Sequence, residues 1–155
     1  MSGLEVARIA AALGAEVKGI NLASLDEEGA RQIERLLWEH HVLFFPVQSL
    51  EVAEHVAFGS LFGELQGHPH LENVREDDRL FVLKGSRGGV ADEWHSDLSF
   101  LPRPALISIL QMMECPEVGG DTLWSNLATA FEQLSPPLKD LCEGLSALPT
   151  AGPHG

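Results

Sequence analysis

Two hydrophobic periodicities take turns along the chain, and the expected elements follow from where each begins and stops. Residues 5–22 alternate loosely around Gly14 and Gly19, which reads as short strands joined by turns. Ala30, Ile33, Leu36 and Leu37 then recur at helical spacing. Ser24 and Glu27 stand in front of that stretch as a capping box, and the helix is expected to close near His40. VLFFP at 42–46 reads as a short buried strand stopped by Pro46. A second helix is expected behind Ser49, with Val52, Ala53 and Val56 as its apolar face and Gly63 marking its end.

Downstream the helical period disappears for some sixty residues. QGHPHLENVREDD, 66–78, is a polar loop, RLFVLKG, 79–85, a strand, and SRGGVAD, 86–92, a glycine-bearing loop. EWHSDLSF, 93–100, and PALISILQMME, 104–114, both read as strands, with a turn over 101–104 between them. The second is almost wholly apolar, as expected of a strand covered on both faces. PEVGGDTLWSN, 116–126, makes a turn and one more short strand. Helices are expected at 126–134 and 136–143, the latter capped by Ser135 with Pro136 in its first turn. No repeat, low-complexity tract or linker divides the 155 residues, so a single domain over 1–155 is expected.

Composition narrows the function classes. At 45% hydrophobic and 21% charged residues, the chain can bury a core and does not have the make-up of a disordered protein. A formal net charge of -13 argues against nucleic acid as a partner, because phosphate backbones call for a basic face. It argues equally against docking on an anionic membrane. Cys115 and Cys142 make neither a disulfide framework nor a metal knuckle, and both are expected to be buried reduced thiols. The N-terminus shows no basic region followed by a long apolar run, so a cytoplasmic setting is expected.

The chemistry concentrates at His95 and Asp97. Side chains alternate along a strand, so residues two apart point to one face. One imidazole nitrogen and one carboxylate oxygen on a shared face make two thirds of the two-histidine, one-carboxylate triad that leaves coordination positions of Fe(II) open. The spacing alone also suits a surface histidine beside an aspartate.

Wider context adds a resemblance. FGEL at 62–65, HPH at 68–70, WHSDLSF at 94–100 and GGDTLW at 119–124 occur in that order. Together they resemble the N-terminal half of the TauD/TfdA family of Fe(II)- and 2-oxoglutarate-dependent dioxygenases, and the resemblance covers nearly the whole chain. It implies an α+β fold with a mainly β core, a double-stranded β-helix or jelly roll with flanking helices, here truncated. It also implies that His95 and Asp97 are the first two iron ligands and that the Thr122 hydroxyl helps hold a carboxylate of 2-oxoglutarate. His68 matches a histidine that touches the substrate's anionic group in taurine-oxidising members, and Leu98 lines the substrate pocket through its backbone. No catalytic residue beyond the metal ligands is implied. The partners implied are molecular oxygen and a small anionic substrate, a taurine-like sulfonate or a carboxylate, with homo-oligomerisation left open.

Departures from the family pattern are as informative. Members complete the triad with a distal histidine, followed by an arginine that clamps 2-oxoglutarate. Here the last arginine is Arg103, and His154 is the only histidine after His95. Two further readings therefore stand beside the dioxygenase. One is a non-catalytic remnant or association module of the same fold. The other is a zinc hydrolase that adds His68 or His70 to His95 and Asp97. Trp94, Phe100 and Trp124 are read as packing residues rather than substrate contacts.

Overall fold

The structure, a computed structural model, describes residues 3–67, 73–75, 77–83 and 93–148. The chain divides into two compact units, Met1–Ser49 with Gln111–Ser146 and Leu50–Leu110 with Ala147–Gly155.

The first unit is built on a three-stranded sheet. Strands β1, Glu5–Arg8, and β2, Ala15–Lys18, pair antiparallel with Val6 opposite Val17. The turn between them closes where the Ile9 amide donates to the Gly14 carbonyl at 3.0 Å, and Gly14 takes a φ of 96° that favours glycine. Helix α1, Glu27–His40, then returns the chain so that β3, Leu43–Phe44, lies parallel to β2. Ala15 and Val17 alternate inward along β2, and with Leu22, Ala30 and Ile33 they are the buried apolar residues of this unit. VLFFP thus yields a strand of only two residues, and both are half-buried.

The cap of α1 lies two residues beyond the expected Ser24. A 3-10 turn at Leu22–Ser24 uses that residue, and Asp26 caps instead, its Oδ1 accepting from the Gly29 amide at 2.8 Å. The short turn buries Leu22 and takes its own cap from Asn21, so the helix cannot begin sooner. At the other end α1 closes at His40 as expected, and the His40 carbonyl accepts from the Gly14 amide at 2.8 Å. One helix terminus is thereby satisfied by the start of β2.

Later residues of this unit supply α3, Leu127–Glu132, and α4, Pro136–Glu143. Asn126 caps α3 through Oδ1, and its Nδ2 donates to the Ala12 carbonyl at 2.9 Å, tying the helix to the β1–β2 turn. Ser135 holds the cap position of α4, ahead of proline in the first turn, but its side chain makes no capping bond. Both cysteines are free and exposed rather than buried, since neither 111–119 nor α4 contributes a buried residue.

The second unit opens with α2, Val52–Ser60. Its start is a reciprocal capping box of Glu51 and Glu54, with the Glu51 amide donating to Glu54 Oε2 at 2.9 Å, so the cap again falls two residues beyond the serine expected. Val56, Phe58 and Gly59 are buried, and Phe58 meets Phe62 edge-on at 5.3 Å. The helix ends at Ser60, short of Gly63. A two-stranded antiparallel sheet follows, β4, Asn73–Val74, with β5, Asp77–Phe81. Part of the loop expected at 66–78 is therefore strand, and the strand expected at 79–85 begins earlier. Arg79 grips Asp77 through both carboxylate oxygens at 2.8 and 2.5 Å, and those bonds bring the Asp77 carboxyl down to about 2.

Neither 93–100 nor 104–114 forms a paired strand: the first ends in a turn over 97–100, and the second carries no ladder. Yet 105–110 keeps a period of two, with Ala105, Ile107 and Ile109 half-buried and Leu106, Ser108 and Leu110 exposed. The alternation is that of a strand, while pairing requires a neighbour that the described residues do not provide.

Candidate metal-binding site

His95 and Asp97 lie in the second unit, where the chain runs from an irregular stretch into the turn that begins at Asp97. The next residue, Leu98, has a φ of 52° and is almost fully enclosed, so the backbone reverses directly behind the carboxylate. The Leu101 amide closes this reversal on the Leu98 carbonyl at 3.0 Å. The two side chains do meet, with His95 Nε2 3.3 Å from Asp97 Oδ1. The cause is this local path rather than the strand alternation expected from the sequence.

Each side chain is held at its far atom. His95 Nδ1 lies 2.8 Å from the Glu93 carbonyl oxygen. A carbonyl only accepts, so Nδ1 carries a proton, and it is Nε2 that faces Asp97, with a lone pair there in the neutral tautomer. On the other side Ser108 Oγ donates to Asp97 Oδ2 at 2.6 Å. What remains, in that tautomer, is a lone pair on Nε2 facing an acceptor oxygen on Oδ1. Two acceptors in that position call for a proton or a cation between them.

The donor pair fits a divalent cation in two of its positions. Metal–donor distances of ~2.1 Å put neighbouring donors about 3.0 Å apart at a right angle and about 3.4 Å apart at the tetrahedral angle. The observed 3.3 Å falls between these values. Both side chains are about half exposed, at 54% each, so an ion and its further ligands have access from solvent. Among the described residues no group of three or more His, Cys, Asp or Glu is placed to hold a metal.

The other expected site residues are distributed differently. Leu98 adjoins the pair and is buried. Thr122 belongs to the first unit and is exposed, behind Gly119 and Gly120, whose φ values of 80° and 76° turn the chain ahead of it. His68, and His70 on which the zinc reading also draws, lie outside the described residues. Trp94 is 72% exposed and packs little, a correction to its reading as a packing residue, since no element among the described residues covers its stretch. Trp124 does pack, against Phe44. Sequence reasoning missed Ser108 and the Glu93 carbonyl. The signal for Ser108 was present: it is the one polar residue between Ala105 and Leu110.

Comparison with known proteins bears on the whole of this region. Residues 5–154 match the family described as Taurine catabolism dioxygenase TauD, TfdA family. An alkylsulfatase of Acinetobacter baylyi is 39% identical over 147 residues, covering 94% of this chain and 46% of its own. An alpha-ketoglutarate-dependent sulfate ester dioxygenase of Pseudomonas putida is 35% identical, covering 94% of this chain and 49% of its own. Among solved structures, a taurine dioxygenase from Burkholderia xenovorans superposes with a TM-score of 0.72 at 33% identity, over 91% of this chain and 51% of that one. The chain spans about half the length of the curated relatives it matches.

Proposed function

The chain belongs to the TauD, TfdA family of dioxygenases, and from that premise we propose that it is the N-terminal, two-ligand part of an Fe(II)- and 2-oxoglutarate-dependent dioxygenase acting on a small anion. The observation that carries the reading is the face-to-face placement of His95 Nε2 and Asp97 Oδ1 at 3.3 Å, each side chain held from behind. In this reading the two residues hold Fe(II). When bound there, the iron supplies the redox chemistry by which 2-oxoglutarate and dioxygen become succinate and CO2 while a substrate C–H bond is hydroxylated.

The chain's own residues bind and orient. The Glu93 carbonyl keeps the proton on His95 Nδ1 and so keeps Nε2 available. The turn at Leu98 presents the carboxylate beside the ring. On the family pattern Thr122 donates to a carboxylate of 2-oxoglutarate, His68 meets the anionic group of the substrate, and Leu98 lines the pocket. A sulfate ester or a sulfonate is the favoured substrate class, because one relative is named for sulfate esters and two are named for sulfonates. The core of the whole protein is a jelly roll, to which this chain contributes early strands and flanking helices, and its setting is the cytoplasm.

A non-catalytic remnant is the second reading, favoured by the lack of a third metal-holding side chain among the described residues. One experiment separates the two. Residues 5–154 replace the matching half of the Pseudomonas putida relative, and succinate is measured with Fe(II), 2-oxoglutarate, oxygen and an alkyl sulfate. We expect succinate formation that His95→Ala abolishes. A folded chimera that makes none supports the remnant.

A further inference from the structure

We propose that Ser108 is a positioning residue for Asp97: its hydroxyl holds Oδ2 so that the carboxylate offers a metal ion Oδ1 alone. The proposal rests on the reading of His95 and Asp97 as metal ligands.

The geometry begins at α2. His55 is half-buried and hydrogen-bonds the backbone of Ile109. Gly59 lies beside the same residue, with the position of a Cβ there 3.7 Å from Ile109 Cδ1, an ordinary packing distance. Ile109 is thus turned toward α2. Side chains along 105–110 alternate between half-buried and exposed, so Ser108 faces the opposite way. There its Oγ reaches Asp97 Oδ2 at 2.6 Å, across eleven residues of sequence. This length is that of a strong hydrogen bond to a charged acceptor.

Asp97 needs such a partner. Its carboxylate is 54% exposed and sits at the start of a turn, where its other side-chain contact among the described residues is the longer 3.3 Å approach of His95 to Oδ1. An unheld carboxylate can swing, or bring both oxygens to one ion. The two-histidine, one-carboxylate arrangement keeps positions open only while the carboxylate occupies a single one. With Oδ2 engaged by Ser108, Oδ1 is the atom left facing His95. The hydroxyl therefore fixes both the angle of the ligand and its one-oxygen mode. It also accounts for a serine within an apolar run, where Ala105, Ile107 and Ile109 suffice for packing.

The test is Mn(II) binding to the full chain, measured from the free-ion EPR signal, in the parent, Ser108→Ala, Ser108→Thr and His95→Ala. Partners of metal ligands typically contribute about 10–100-fold in affinity. We expect Ser108→Ala to weaken binding by that order with an unchanged thermal transition. Ser108→Thr, which keeps the hydroxyl, should restore it. A Ser108→Ala protein that binds within twofold of the parent, while His95→Ala does not bind, overturns the role of Ser108 and leaves the ligand pair standing. Equal loss in Ser108→Ala and Ser108→Thr also overturns it, because the hydroxyl would then not be the cause. A parent that binds no better than His95→Ala overturns the ligand reading, and the proposal with it.

Discussion

Trp124 meets the ring of Phe44 edge-on, with the centroids 5.3 Å apart and the planes at 83°. The contact fastens the residues after the Gly119–Gly120 turn to β3, eighty residues earlier in the chain. Trp124 remains 44% exposed, so the energy lies in the ring contact and partial burial. We expect Trp124→Ala to cost about 1–2 kcal/mol. Trp124→Phe, which keeps an aromatic edge, should cost less. Urea unfolding of the three proteins is the measurement, and equal midpoints would show that the contact is energetically empty.

The ligand pair makes a direct prediction. Anaerobic titration with Fe(II) should give binding to the parent that His95→Ala or Asp97→Ala abolishes. Each variant removes one of the two donors standing 3.3 Å apart. Binding unchanged in both variants would move the metal elsewhere in the chain.

His55 gives the chain a dependence on pH. Burial pushes its imidazole below the ordinary histidine range, and the hydrogen bond to the Ile109 backbone opposes this in part. The folded value is therefore lower than the unfolded value of about 6.5. In the window between the two the unfolded chain binds more protons, so stability rises with pH across it. The contribution is fully present above the unfolded value and is lost as pH falls through the folded one. Between pH 7.5 and 5.5 the parent should lose more stability than His55→Gln. Parallel losses would remove His55 as the cause.

On its own the chain should form no succinate from 2-oxoglutarate above a metal-only control. Two protein donors hold an ion less tightly than three, and no third is placed among the described residues. It should also self-associate. Trp94 is 72% exposed, Leu106 75% and Leu110 57%, all within one unit, and apolar surface of that kind seeks cover. Activity assays and sedimentation check the two halves of the prediction. Steady turnover that disappears in His95→Ala would require a third ligand from elsewhere, a second copy of the chain included.

The sequence was most legible where one periodic run could bury its own face. The β1–β2 hairpin and the body of α1 were readable, because Val17, Ala30 and Ile33 find their partners within one unit, whereas the bounds of α4, which buries no residue, were readable from Ser135 and Pro136 at its start. Caps were less legible. Ser24 and Ser49 looked suitable, but Asp26 and Glu51 took the role, since capping depends on where the preceding turn leaves the backbone. The stretches at 93–100 and 104–114 misled most. They carry strand-like patterns, yet a strand is made by its neighbour, and a pattern cannot announce whether the described residues supply one. The meeting of His95 and Asp97 was foreseen for a reason that does not hold, the true cause being the turn at Leu98. Ser108 contacts Asp97 across eleven residues, a tertiary fact that no local spacing encodes.

The unladdered stretch at 105–110 has a consequence on another timescale. Amide hydrogens held in a sheet trade with solvent deuterium only when the sheet opens. Those of a strand without a neighbour trade almost as freely as in an unfolded chain. Among the described residues no strand pairs with 105–110, so Ile107 and Leu110 should take up deuterium within seconds, while Ala15 and Val17, in the middle of a sheet, lag far behind. A sharp slowing at 105–110 on mixing with another polypeptide would give the moment at which a sheet edge is completed.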